Sequence, residues 1–259
     1  MKVALILSGL TRTLSYSWLF IDKYIATPLK ADIFLHTWDI DHSSAHGLAK
    51  GNYAGQAQVK NADIGIGSPD IPLDRNFNAP SVPFETSKED YIINEVNPTS
   101  YVIEPFESFS LKEESHSTFA MYYGIQKANL LRKQYEKDKG ISYDLIIRAR
   151  LDTFFENTIP NKDIEEALTQ NTLFVGCNRS EEDYPHQETT DVFAFSNSSI
   201  MDIYADTFNL YNNGNNRHLL GEKGLHHQLE SNQVKTKWSN IPLKLPSVWS
   251  SSEVRVNRW

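Results

Sequence analysis

Two short aliphatic runs, Lys2–Leu7 and Tyr143–Ala149, set the strongest limit on what this chain can fold into. Their apolar residues stand at consecutive positions instead of alternating, so a strand built from either has both faces covered, as in a parallel sheet packed between helices. Ser8-Gly9 stops the first run, and the second turns from apolar in its middle to charged at its C-terminal end. The helices that such a sheet needs can be read between the strands. From Ser15 to about Ala26 the apolar residues Trp18, Leu19, Ile21, Tyr24 and Ile25 recur at helical spacing, with Pro28 just past the end. Ala31–Thr37 follows as a strand, completing a strand, helix, strand unit of the length a parallel crossover requires.

The same alternation continues. Ser87-Lys88-Glu89-Asp90 has the form of a capping box and opens a short helix through about Val96, ahead of a strand at Ser100–Ile103. The longest helical pattern runs from Ser117 to Lys139, with Gly140 placed to stop it. Thr172–Val175, Val192–Phe195 and Val234–Trp238 read as strands, and Ser199–Tyr211 and Glu222–Ser231 as helices. The fold class expected is therefore α/β, an open, mostly parallel sheet with helices on both faces. Asp39 to about Glu85 has no sustained period and reads as a long irregular excursion. No linker divides the chain.

Composition narrows the function. With 40% hydrophobic and 12% aromatic residues, 259 residues can fill a large core. No apolar run approaches the roughly 20 residues that cross a bilayer, and Val3–Leu7 is followed by Ser-Gly-Leu-Thr-Arg instead of a cleavage site. A transmembrane segment and export are not expected; a cytoplasmic protein, at most peripheral to a membrane, is. The lone Cys177 supports neither an internal disulfide nor a multi-cysteine zinc site. A net charge of −8 with scattered basic residues gives no footprint for nucleic acid. An anionic ligand would have to be received by local positive charge.

In open α/β sheets ligands bind beyond the carboxyl ends of the strands. Three such places are polar here: Ser8, Gly9, Thr11 and Arg12 after the first strand; His36, Trp38 and Asp39 after the second; Arg148, Arg150 and Asp152 after the strand behind the long helix. A glycine lets the backbone approach a ligand, and Thr11 and Arg12 can donate to phosphate. Ser-Gly-Leu-Thr-Arg lacks the later glycines of a dinucleotide fingerprint, and no phosphate-binding loop of the G-x-x-x-x-G-K-[ST] form occurs. Strand alternation puts Arg148, Arg150 and Asp152 on one side. Such a cluster can satisfy itself as a salt-bridge network, or it can hold a diphosphate, with a divalent cation bridging to the carboxylate.

Residues 3–13, the Ala-Asp-Ile-Phe-Leu-His-Thr-Trp segment (31–38) and the helix Met121–Gly140 leading into Tyr143–Asp152 resemble GT-A glycosyltransferases of bacterial polysaccharide clusters and large viruses, over roughly residues 2–240. The resemblance implies a single GT-A-like domain, residues 1–259. About 1–155 would be a Rossmann-like half binding the nucleotide-sugar donor, UDP- or GDP-linked, and about 156–259 a half binding a glycan acceptor. It also implies an Asp-x-Asp-like motif carrying Mn²⁺ or Mg²⁺. Asp152 would take that motif's last position, whereas Arg150 stands where its first aspartate is expected, so guanidinium groups can replace part of the ion's work. Ser8, Gly9, Thr11 and Arg12 would line the nucleotide, with Asp39 on the ribose or base.

A base for the acceptor hydroxyl is expected from the second half. Asp191, just before the strand Val192–Phe195, is the candidate, with Asp183 and Glu188 as further possibilities. His226 and His227 point about 100° apart on a helix and cannot both serve one site; His226 is assigned to the metal by the resemblance. Trp38, Tyr53, Tyr184 and Trp249 are candidate stacking residues. The expected activity is transfer of a sugar from a nucleoside diphosphate to a glycan in surface polysaccharide or glycoprotein synthesis. The competing readings are a sugar-phosphate nucleotidylyltransferase and a non-catalytic nucleotide- or glycan-binding module.

Overall fold

The computed structural model describes residues 1–11, 14–39, 87–106, 117–176, 189–212 and 222–245. Arg12, Tyr53, Cys177, Asp183, Tyr184, Glu188, Trp249 and nearly all of the Asp39–Glu85 excursion lie outside them. The aliphatic runs form β1 (Val3–Gly9) and β4 (Leu145–Arg150), and the second strand is β2 (Asp32–Trp38). With β3 (Ser100–Glu104), β6 (Thr172–Gly176), β7 (Phe193–Asn197) and β8 (Lys235–Trp238) they make one seven-stranded sheet in the order β3-β2-β1-β4-β7-β6-β8. β7 runs antiparallel to both neighbours, and the other pairings are parallel. A second sheet joins two short strands, β5 (Phe154–Phe155) and β9 (Leu243–Lys244).

Consecutive apolar residues on the strands feed two cores. Val3, Leu5 and Leu7 of β1 and Leu145, Ile147 and Ala149 of β4 face Trp18 and Ile21 of α1 (Leu14–Ile21). Ile164 of α4 (Asn161–Thr169) lies in the same core. Ala4, Ile6 and Ile146 face the other way, onto Tyr122, Ile125 and Ala128 of α3 (Ser117–Lys139). Tyr204 of α5 (Ser198–Ala205), Tyr211 of α6 (Thr207–Asn212) and Leu225 of α7 (Glu222–Ser231) complete that side. The α/β sheet covered on both faces is thus what forms, and no helix among the described residues is long and apolar enough to cross a membrane.

Local signals account for most boundaries. The capping box works as read: the Asp90 N–H donates to Ser87 Oγ at 3.1 Å and opens α2 (Lys88–Tyr91), which runs on through a π-helical turn, Ile92–Val96. α1 likewise continues through a π-helical turn, Asp22–Ala26, and ends in Thr27–Leu29. Pro28 therefore falls inside the last turn instead of past it. The single helix expected over Ser199–Tyr211 is broken into α5 and α6. At the break Thr207 Oγ1 donates to the Tyr204 carbonyl (2.8 Å), a local bond that competes with the helical ladder.

Two features hold α3 in place. Arg132 is fully enclosed and donates to Glu136 (2.8 Å), Ser198 (2.7 Å), Asn129 (2.9 Å) and Asp202, which fastens α3 to α5. Gly124 brings the helix down onto the sheet, so close that a methyl group there would sit 2.9 Å from His36 Nδ1 and 3.6 Å from Ser8 Cβ. His36 is buried and cannot swing aside. Gly124→Ala is expected to lower unfolding free energy by about 1–3 kcal/mol, the cost of overpacking a filled interior, as measured by urea denaturation; an unchanged midpoint would show that the helix can lift without cost.

Candidate functional site

The strand order places the site. β2 and β3 lie to one side of β1 and β4 to the other, so the connections leave the carboxyl ends of β1 and β4 in opposite directions, and it is at such a switch point that open α/β sheets bind ligands. The register sets Ser8 beside Arg150 on one edge of β1 and beside His36 on the other. Because side chains two apart share a face, Ser8, His36, Arg148 and Arg150 all project to the side that α3 covers. The reversed strand β7 then brings its N-terminal end, with Asp191 and Val192, to this same edge.

The expected convergence of Arg148, Arg150 and Asp152 divides into two environments. Arg148 is fully enclosed, and among the described residues only its Nη1 has a partner, the Val192 carbonyl, while Nε and Nη2 have none. A buried cation with two unmet donors is costly. Burial lowers the Arg148 guanidinium from its ordinary pKa, against the pull of Tyr204, Asp191 and Asp152. Arg150 stands at the rim, its side chain 25% exposed, and grips Asp152 through two parallel bonds, Nε to Oδ1 at 2.8 Å and Nη2 to Oδ2 at 2.6 Å. Burial works against its charge, but Asp152, with a contribution from Asp191, raises its pKa overall. Its backbone N–H also donates to the Val192 carbonyl (3.1 Å), so one carbonyl ties both arginines to the start of β7.

The other residues read from the sequence fall as follows. Ser8 is buried, and its Oγ has no partner among the described residues. Gly9 has φ 134°, a conformation costly for any other residue, and its carbonyl accepts from Thr37 Oγ1 (2.8 Å). Thr11 is buried, and its carbonyl accepts the N–H of Leu14 where α1 begins. Asp39 is exposed and spends Oδ1 on the Phe106 N–H (3.0 Å). Asp191 is half-buried and acts through space on both guanidinium groups. His226 lies on a half-exposed part of α7, 4.0 Å from Glu230.

These positions test the fit of a divalent ion. Both oxygens of Asp152 face the Arg150 fork, and no three His, Cys, Asp or Glu side chains among the described residues come together as ligands. The described donor set does not suit Mn²⁺ or Mg²⁺. A surface hollow of about 240 Å³ lies elsewhere, between α3 and α5, lined by Gln126, Asn129, Lys133, Asp202 and Asp206.

One cluster was not read from the sequence. Glu104, at the end of β3, accepts from His36 Nε2 (3.2 Å) and pairs with Lys127 (3.2 Å), while Trp38 stacks on Tyr123 at 5.5 Å. Burial tends to raise Glu104, yet Tyr123, Lys127 and His36 as donors bring it below the usual carboxylate value. The rule that selected residues after strands applies here too; the strand read as ending at Ile103 stops one residue short. A comparison with protein-family models gives no match, and neither does one with curated proteins.

Burial lowers the His36 pKa below 6.5, opposed by the hydrogen bond to Glu104. As the pH falls past about 6.5 the unfolded imidazole takes up a proton that the folded one resists, so this contribution to stability is present above that pH and is lost below it. Denaturant unfolding between about pH 8 and pH 5 is expected to show the wild type losing stability more steeply below about pH 6.5 than His36→Gln, which keeps a donor for Glu104. Parallel curves would contradict this.

Proposed function

We propose that this chain is a glycosyltransferase that moves a hexosyl or pentosyl group from a nucleoside diphosphate, UDP- or GDP-linked, to a glycan acceptor. The observation that carries the reading is the placement of two adjacent guanidinium groups, one with two donors unmet, at the β1/β4 switch point. A departing diphosphate is the ligand whose negative charge grows as the reaction proceeds, and fixed cations at that point favour the transition state over the ground state. The layout supports the two-part arrangement that a GT-A-like protein would have. A parallel half, β3-β2-β1-β4, carries the donor, and the strands beyond the reversed β7 carry the acceptor side.

In the step proposed, the acceptor oxygen bonds to the anomeric carbon while the bond from that carbon to the phosphate oxygen breaks. The diphosphate leaves beside Arg150, with Arg148 adding positive potential from beneath, and Asp191 takes the acceptor proton. Gly9 lets the nucleotide lie close to the backbone after β1. No step runs through a metal ion.

A panel of nucleotide sugars with purified protein tests this directly. Nucleoside diphosphate should be released slowly to water and faster with a glycan acceptor. Arg150→Lys keeps the charge that faces Asp152 and loses the planar fork, and is expected to slow release by roughly 10²–10³-fold with little change in melting temperature. Asp191→Asn should slow transfer by about 10²–10⁴-fold while donor binding persists. Pyrophosphate formed from a nucleoside triphosphate and a sugar phosphate would instead show a nucleotidylyltransferase, and binding without turnover a recognition module.

A further inference from the structure

We infer that Asp152 is the resting counter-ion of Arg150, displaced by the diphosphate of the incoming donor, and that donor binding needs no divalent cation. The inference rests on the donor-site reading above. A carboxylate that ligates Mg²⁺ offers an oxygen at about 2.0–2.1 Å from the ion, whereas each Asp152 oxygen already accepts a bond from Arg150, at 2.8 and 2.6 Å. An ion placed there would also stand against a guanidinium, and like charges at such distances repel. Two residues before Asp152, where a second carboxylate would complete a metal site, the chain carries that same arginine. His226 stands 4.0 Å from Glu230 on α7, and no set of three ligands forms among the described residues.

The pair is suited to exchange. Asp152 is almost wholly buried whereas Arg150 is partly exposed, so an anion arriving from solvent meets the cation first. Phosphate oxygens match the planar fork as a carboxylate does, so the guanidinium can change partners without changing shape. Arg148 keeps the surroundings of the displaced carboxylate positive.

Calorimetric titration of the full chain with UDP, GDP and inorganic pyrophosphate, in excess EDTA and again with Mn²⁺, tests the inference on wild type and Asp152→Asn. Wild-type affinity for at least one of the three should be the same with and without the ion. Asp152→Asn should bind about three- to tenfold tighter, because the variant loses both the competing acceptor and a repelling charge. Binding that appears only with Mn²⁺, or is weakened in Asp152→Asn, overturns the inference and leaves the glycosyltransferase reading standing. Absence of binding for all three under both conditions overturns both. A thermal scan of Asp152→Asn establishes that it is folded; if it is not, the EDTA comparison on wild type decides alone.

Discussion

The parallel pairing of β1 with β4 is the contact on which both fold and site depend. It runs from Val3 opposite Leu145 to Ser8 opposite Arg150, and every residue of β1 through Leu7 is buried. Two strands far apart in sequence are thereby fused at the centre of the sheet, and the entropy of closing so long a loop is recovered by apolar burial on two faces at once. The same ladder fixes what stands at the carboxyl edge. A slip of one residue would turn Arg148 and Arg150 onto the face packed against α1 and put Ile147 and Ala149 under α3.

Two enclosed arginines, Arg132 and Arg148, are satisfied to very different degrees. The donors of Arg132 are spread over four side chains, two of them carboxylates, and it fastens α3 to α5. Such an arrangement is stable because every desolvated guanidinium nitrogen regains a partner. Arg148 is as deeply enclosed and has, among the described residues, one carbonyl. A fold that can satisfy one buried guanidinium so fully, yet leaves the second short of acceptors beside Arg150 and Asp191, keeps positive potential where a ligand would use it.

The walls around this charge are rigid. Gly124 seats α3 on Ser8 and His36, and the Trp38–Tyr123 stack, with Glu104 and Lys127, fills the ends of β2 and β3. Under the glycosyltransferase reading proposed above, fixed dipoles and charges of this kind would not need to reorganise as charge develops on a leaving group.

Apolar patterning along the chain determined the elements and the side of the sheet on which each packs. The runs at β1 and β4, the 3.6-residue period of α3 and the capping box at Ser87 are local signals, and each was legible because burial leaves its mark residue by residue. It also located the charged end of β4 and Asp191. The reversal of β7 and the short β5/β9 sheet were not legible, because a strand's period is the same in either direction and a two-residue strand shows none; helix α4 was not read, although Ile164, Ala167 and Leu168 stand at helical spacing and share one buried face. Only the tertiary structure decided that Arg150 would hold Asp152 while Arg148 went underneath, and that Glu104 would meet His36. Those pairings join residues through the register of neighbouring strands and the height of a helix above them, distances that no periodicity within a single segment records.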